Sequence, residues 1–262
     1  MEIARLPRVK IEDITPTIMH YGAVWLMHDE LVSRGHGLIQ KTYSCHGDLK
    51  KLGLATVPFV PEPGEERKET YGEDDVSRIA FEAGRIFGAK RKNSSWYGID
   101  PSHEGLEDII QLRAMNAEFA EFILPIHRAI YRQINGGDLW RLSEFMVNSV
   151  QLYGSPGNPM SMHRHYDDTA HTLLLDDVVG LRVLINGVWY LLEPRPPGAA
   201  LLITGNQSIN ALGHAVGPWS EAMTTRMNMA SFYGNGHLRL LWSVIWNTLY
   251  KRASLRRVKG FS

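Results

Sequence analysis

The spacing of apolar residues changes character near Ser143. Upstream, apolar positions recur mostly at helical intervals. Ile18 to Arg34 carries mixed apolar spacing and meets Gly35, a helix-stop residue. Asp74 or Asp75 is placed to cap a helix running to about Gly88, with Val76, Ile79, Ala80, Ala83, Ile86 and Phe87 on one stripe. Ser102 is placed to cap a longer helix over Leu106 to Ile134. Its apolar positions Ile109, Ile110, Leu112, Met115, Phe119, Phe122 and Ile123 fit the helical repeat, and Pro125 is expected to kink or split it. Between these stretches, Val57 to Tyr71 is rich in proline and charge and reads as an exposed loop.

Downstream of Ser143 the chain consists of short apolar runs separated by turn residues. The strands predicted are Phe145–Tyr153, His171–Leu175, Leu181–Ile185, Val188–Leu192, Ala200–Thr204 and Arg226–Tyr233. Asn186-Gly187 between two of them is a two-residue hairpin signal, and Pro194 to Gly198 reads as a turn. Short, regularly spaced strands predict an antiparallel sandwich or barrel. From about Leu238 to Arg256 the pattern returns to helix, rich in tryptophan, leucine and basic residues. The organisation expected is one domain over residues 1–262. It divides into a mostly helical part (1–142), a β core (143–235) and a C-terminal helix (236–262).

Composition narrows the partners. A chain of 262 residues with 44% apolar content can bury a substantial core. Lys plus Arg and Asp plus Glu both total 28, and a formal net charge of zero argues against a nucleic-acid partner. One cysteine, Cys45, rules out an intrachain disulfide and fits a reducing compartment. The first residues carry no apolar stretch ahead of a cleavage site, and no apolar run reaches the roughly 18 residues of a membrane span. The expectation is a cytoplasmic protein with no membrane partner. Oligomeric state is not readable: the C-terminal helix is apolar on more than one face and could cap the core or join a partner chain.

The candidate chemistry lies in His165-Tyr166-Asp167. Positions i and i+2 of a strand point the same way, so His165 and Asp167 can share a barrel interior. His214 follows 214 − 165 = 49 residues later, far enough for a strand–hairpin–strand excursion to return beside the pair. Two histidines and one carboxylate on one face of a metal ion leave the opposite face open, the arrangement of non-haem iron oxygenases. The same donors also suit zinc or manganese. With 11 histidines in the chain, a chance His-x-Asp surface pair is the plainer alternative. His163, His171 and Asp168 compete for the ligand roles.

The surrounding residues carry a resemblance. After His165-Tyr-Asp come Thr172-Leu-Leu-Leu-Asp-Asp-Val-Val-Gly-Leu-Arg-Val, Asn186-Gly-Val-Trp-Tyr and Pro196-Pro-Gly-Ala-Ala-Leu-Leu-Ile-Thr-Gly. In order and type these segments resemble the isopenicillin N synthase-like branch of the iron(II)/2-oxoglutarate dioxygenases over roughly residues 145–233. The His165-to-Thr172 interval matches that family's interval, which selects His165 over His163 and Asp167 over Asp168. Arg34-Gly-His-Gly-Leu looks like the family's N-terminal strand start, and Leu106-Glu-Asp-Ile-Ile resembles one of its helices.

The resemblance implies a mainly β fold with flanking helices: a double-stranded β-helix, or jelly roll, braced by N-terminal helices and a C-terminal helix. It implies Fe(II) held by His165, Asp167 and His214, with 2-oxoglutarate as cosubstrate and O2 as oxidant. In the family an Arg-x-Ser pair meets the far carboxylate of 2-oxoglutarate. Arg226 stands 226 − 214 = 12 residues after His214, and Asn228 occupies the serine position. Tyr153 sits where the family often places a tyrosine that touches the cosubstrate; a core strand aromatic is the alternative.

The activity implied is oxidation of a small organic molecule by hydroxylation, desaturation or oxidative cyclisation, with 2-oxoglutarate decarboxylated to succinate. Tailoring of a natural product is the leading expectation by family analogy. Asp167 is a carboxylate, which disfavours halogenation. Asn228 keeps alive an iron oxidase of the isopenicillin N synthase type that uses no 2-oxoglutarate. A non-catalytic jelly-roll binding protein and a zinc hydrolase or isomerase are the readings from other classes. The lid is expected from Val57–Tyr71, Asn93–Asp100 with Trp96 and Tyr97, and the C-terminal helix.

Overall fold

The computed structural model describes residues 2–51, 76–86, 89–92, 106–139, 143–153, 162–176, 180–208, 210–216 and 226–236. In chain order the elements are β1 (Ile3–Ala4), β2 (Arg8–Val9), α1 (Ile14–Tyr21), β3 (Ala23–Met27), α2 (Asp29–Ser44), α3 (His46–Lys51), β4 (Val76–Ile86), β5 (Ala89–Lys92) and α4 (Glu107–Asn135). The remaining strands are β6 (Glu144–Tyr153), β7 (Met162–His165), β8 (His171–Asp176), β9 (Leu181–Ile185), β10 (Val188–Leu192), β11 (Ala199–Thr204), β12 (Gly213–Val216) and β13 (Arg226–Asn235). Among the described residues they form two sheets, ordered β1-β10-β9-β12-β7 and β2-β3-β11-β8-β13-β6-β4-β5. Among the described strands only the two short N-terminal ones pair in parallel, β1 with β10 and β2 with β3. This is the jelly-roll architecture, with helices covering one face of the larger sheet.

Alternation along the central strands builds two separate cores. All six residues of β11 are buried. Ala200 and Leu202 join Val24, Leu26, Leu173, Leu175 and Met229 in a core against apolar residues of α1, α2 and α4. Leu201 and Ile203 turn the other way and join Trp25, Leu181, Val183 and Leu192 between the two sheets. A strand buried on both faces has no polar face to alternate with, so it reads as a continuous apolar run. Helix α4 lays Phe119, Ile123, Ile126, Ile130 and Ile134 onto the large sheet at intervals of three and four.

Most downstream strands match expectation within one or two residues, and Leu181–Ile185 and Val188–Leu192 agree at both ends. Asn186 (φ 50°) and Gly187 (φ 81°) both take positive φ, as a two-residue hairpin turn between these strands demands.

The upstream half departs from expectation at three places. The segment expected as one helix from Ile18 to Arg34 is the end of α1, strand β3 and the start of α2. β3 was hidden because both of its faces are buried, leaving an apolar run that periodicity cannot tell from helix. Gly35 does not stop a helix, and Arg34-Gly-His-Gly-Leu is not a strand start: both lie inside α2. A Cβ on Gly35 would come within 2.7 Å of Leu175 Cδ1, so glycine lets α2 sit close against β8. The third is Val76–Ile86, expected as helix, which is strand β4, paired with β6 from Val76↔Tyr153 to Gly84↔Phe145. Its apolar residues fit the helical spacing, but Ile79, Phe81 and Ala83 also alternate, and the long-range partner decides between the two.

Helix α4 runs unbroken through Pro125, held by its buried face. Its expected cap Ser102, the loops Val57–Tyr71 and Asn93–Asp100, and the C-terminal helix lie outside the described residues. No described helix is long and apolar enough to cross a membrane.

Candidate metal centre

The site lies where the chain crosses from the small sheet to the large one. β7 ends at His165, residues 166–170 make the crossing, and β8 begins at His171. β12 runs antiparallel beside β7 with His214 directly opposite His165. On its other side His214 pairs with Val183, a member of the core between the sheets. The excursion through β9, β10 and β11 thus returns the distal histidine to the His-x-Asp segment, as the 49-residue interval requires.

Among the described side chains, two of the three expected donors meet. His214 Nε2 lies 3.8 Å from Asp167 Oδ1, with the two side chains 7% and 8% exposed. The other ring nitrogen, Nδ1, is 3.3 Å from the Leu212 carbonyl. A carbonyl can only accept, so Nδ1 is the donor in that contact and Nε2 is the nitrogen turned towards the carboxylate. Metal-binding histidines use the same division of labour: one nitrogen donates to a backbone carbonyl and the other faces the ion. Two metal bonds of about 2.1 Å span at most about 4.2 Å, so one cation can bridge this pair. Imidazole nitrogen with carboxylate oxygen suits divalent iron, zinc or manganese. The His165 side chain lies outside the described residues; its backbone stands opposite His214.

Local packing separates Asp167 from its competitors. Asp167 is buried, whereas Asp168 is exposed and accepts from Asn206 Nδ2 at 2.8 Å. His171 is fully buried on the opposite face of β8, against α4, where its Nε2 is 2.9 Å from His127 Nδ1. The crossing is fixed by its main chain. Asn206 N–H donates to the Asp167 carbonyl, Gly205 N–H to that of Ala170, and Gln207 N–H to that of Thr169. A Cβ on Gly205 would fall 2.2 Å from the Thr169 carbonyl oxygen, so only glycine admits this approach. The half-exposed Tyr166 ring lies over Gly213, where an added Cβ would meet Tyr166 Cζ at 3.3 Å.

Sequence reasoning missed Thr172 as more than a strand residue. Its hydroxyl donates to Asp167 Oδ2 at 2.6 Å, and it sits 3.4 Å from the Thr169 hydroxyl. A threonine five residues after an aspartate carries no recognisable spacing signal; its place in the quoted Thr-Leu-Leu-Leu run is the only trace.

The three expected cosubstrate residues are brought together by strand register. Arg226 is the partner of Tyr153 across β13 and β6, and Asn228 stands two residues further along β13. Asn228 lies on the face opposite Met229, which packs on the helices, so Asn228 faces the small sheet. It is buried, and its Oδ1 has no hydrogen-bond partner among the described residues. Buried amides are rarely left unpaired, which suits this one to contacting a ligand. The side chains of Arg226 and Tyr153 lie outside the described residues.

No family model matches the chain, and no curated protein does either. Solved structures do. The chain is 14% identical to a dioxygenase for auxin oxidation from rice, covering 87% of this chain and 82% of that one, with a TM-score of 0.56. A putative 2OG-Fe(II) oxygenase family protein from Caulobacter crescentus is 16% identical, covering 88% and 87%, with a TM-score of 0.58. A full-length Neurospora crassa protein, solved in complex with alpha-KG and thymine, is 12% identical, covering 88% and 86%, with a TM-score of 0.59. The fold of this chain is therefore that of the iron(II)/2-oxoglutarate oxygenases.

Proposed function

We propose that the protein is a non-haem iron(II)/2-oxoglutarate-dependent oxygenase acting on a small organic molecule. The observation that carries this reading is the buried facing of His214 Nε2 and Asp167 Oδ1, with His165 opposite His214 on the neighbouring strand. In the proposal these three residues hold Fe(II). Bound there with 2-oxoglutarate and O2, the metal supplies oxidation of an unactivated C–H bond.

The chain's own residues do the rest. The Leu212 carbonyl orients the His214 ring, and burial of His214 and Asp167, with the core residue Val183 beside His214, limits water near the donors. Arg226 gives the far carboxylate of 2-oxoglutarate a planar, permanently charged partner. Asn228 can turn its amide half a revolution and donate Nδ2–H to the same carboxylate. Tyr153, the register partner of Arg226, is proposed to flank it. The small-molecule substrate class follows the neighbours, one solved with thymine and another with JA. Within that class we propose tailoring of a natural product.

A second reading keeps the iron and drops the cosubstrate: an oxidase of the isopenicillin N synthase type. Asn228 at the position expected for serine favours it. Anaerobic titration of the iron(II)-loaded protein with 2-oxoglutarate separates the two. A visible charge-transfer band in the wild type that weakens in Arg226→Ala supports the first reading. Bound iron with no band supports the second, and a protein that binds no iron overturns both.

A further inference from the structure

The two oxygens of the Asp167 carboxylate are used differently. Oδ1 faces His214 Nε2. Oδ2 accepts from the Thr172 hydroxyl at 2.6 Å, a short, charge-assisted hydrogen bond. A hydroxyl has one proton, and that of Thr172 is committed to Asp167. The Thr169 hydroxyl, 3.4 Å away, must therefore be the donor in the contact between the two threonines. The result is a directional chain, Thr169 to Thr172 to Asp167 Oδ2. Both threonines are buried.

The fold makes this chain rigid. Thr172 is the second residue of β8 and pairs with Ile203 on one side and Phe232 on the other. Its neighbours Leu173 and Leu175 pack against the helices, and Thr172 points to the opposite, inter-sheet face. A β-branched side chain in a strand has restricted χ1 freedom, so the hydroxyl is held as firmly as the backbone. Asp167 is pinned from its other end by the Asn206 N–H on its carbonyl at 2.8 Å.

We propose that Thr172 is the positioning residue of the metal centre: its hydroxyl, oriented by Thr169, occupies Asp167 Oδ2 and leaves Oδ1 as the one carboxylate donor. The inference rests on the metal-centre reading above. A carboxylate with both oxygens available can chelate a divalent cation and take a second coordination position. Three single-atom donors leave the remaining positions for two oxygens of a 2-oxo acid and for O2. Thr172 therefore guards the number of open positions as well as the affinity.

The test uses the metal-free full chain and Co(II), whose visible bands weaken as coordination number rises. Wild type, Thr172→Val, Thr172→Ser and Thr169→Val are titrated anaerobically, by calorimetry and by absorption. Valine keeps the shape of threonine and removes the hydroxyl; serine keeps the hydroxyl. The expected result is Co(II) binding in the T172V variant weakened by roughly 10-fold or more, the effect typical of losing an outer-shell partner. Its bands also become weaker than those of the wild type as Oδ2 joins the metal. Serine restores both affinity and spectrum, and T169V lies between. Wild-type affinity and spectrum in T172V overturn the inference while leaving the metal centre intact. A wild-type protein that takes up no Co(II) overturns the metal centre and the inference with it. If T172V fails to fold by circular dichroism, T172S and T169V decide: wild-type behaviour in T169V, or loss of affinity in T172S, overturns the inference.

Discussion

His127 Nδ1 and His171 Nε2 lie 2.9 Å apart between α4 and the large sheet, and their neighbours decide which nitrogen holds each proton. The Ser231 hydroxyl donates to Asn148 Oδ1 at 2.5 Å, so Ser231 Oγ must accept from His127 Nε2–H at 2.8 Å. His127 Nδ1 is then bare and accepts from His171 Nε2–H. His171 Nδ1 is left unprotonated, with no hydrogen-bond partner among the described residues. The chain of hydrogen bonds runs from His171 through His127 and Ser231 to its final acceptor, Asn148 Oδ1. It ties the helix to three strands of the sheet whose far face carries Thr172.

A further proton on this pair has no good place. At His171 Nδ1 no described residue accepts it, and at His127 Nδ1 it breaks the bond. The groups packed around the pair offer little compensation. Tyr233 stacks on His127, and the Glu144 carboxylate is already engaged by the Tyr233 hydroxyl and the Arg128 guanidinium. Burial lowers both histidines, His171 from 6.5 to about 3. The unfolded chain therefore takes up protons first as pH falls. Stability is complete above pH 6.5 and declines as pH drops towards 3. The limiting slope is about 1.4 kcal/mol per pH unit for each histidine. Urea denaturation midpoints between about pH 7.5 and about pH 4.5 should fall accordingly, and more shallowly in a His127→Leu/His171→Leu double variant. Equal wild-type midpoints across this range would contradict a buried pair held neutral in the folded protein.

Gly205→Ala should damage stability and the site together. The added methyl lands 2.2 Å from the Thr169 carbonyl oxygen and 2.7 Å from that of Asp167. Backbone cannot swing aside as a side-chain tip can, so the crossing that carries Asp167 must move. A loss of about 1–3 kcal/mol is expected, typical of overpacking a buried contact. Thermal unfolding reads the first effect and Co(II) affinity the second. A variant that melts and binds metal like the wild type would show that the crossing is not as rigid as its hydrogen bonds imply.

The legible parts of this fold are those whose physics is local. The hairpin Leu181–Leu192 carries its own turn residues at positive φ, and its register follows from them. The His165–Asp167 spacing, expected as a strand property, is only half one: β7 ends at His165 and Asp167 stands in the crossing beyond it. What escaped is non-local. β3 has no polar face because Val24 and Leu26 pack into one core and Ala23 and Trp25 into the other, largely against residues far along the chain. β4 is a strand only because β6 lies beside it. Gly35 punctuates nothing; it answers a strand about 140 residues away, whose Leu175 presses on the helix. The His127–His171 bond joins residues 44 apart. The carbonyls that forbid a side chain at Gly205 belong to residues 167 and 169, across a turn that no spacing rule anticipates.

Asn228 should matter as a donor. Its amide is buried with an unsatisfied oxygen, two residues from Arg226. Asn228→Ala removes the amide and leaves the Arg226 charge. Loss of one hydrogen bond to a charged group, about 1.5–3 kcal/mol, weakens 2-oxoglutarate binding by roughly 10- to 100-fold. Asn228→Ser, with a smaller donor, should stay near wild type. Anaerobic equilibrium titration measures both, and wild-type affinity in the alanine variant would leave Asn228 as barrel packing.

The two adjacent aspartates give the sharpest contrast, because Asn replaces either with almost no change of shape. Asp167 is buried, turned towards His214 and hydrogen-bonded by Thr172; Asp168 is exposed and hydrogen-bonded by Asn206. Asp167→Asn removes the negative charge that favours a cation over two neutral imidazoles. The neutral amide is a far poorer ligand, and Fe(II) or Co(II) affinity should fall by at least about 100-fold, or about 2.7 kcal/mol. Asp168→Asn alters one exposed hydrogen bond, whose contribution is small in water. Metal affinity there should remain within about twofold of wild type, under about 0.5 kcal/mol. Calorimetric titration of the two variants settles which carboxylate belongs to the centre. A larger loss in Asp168→Asn than in Asp167→Asn would place the metal on the other side of this turn.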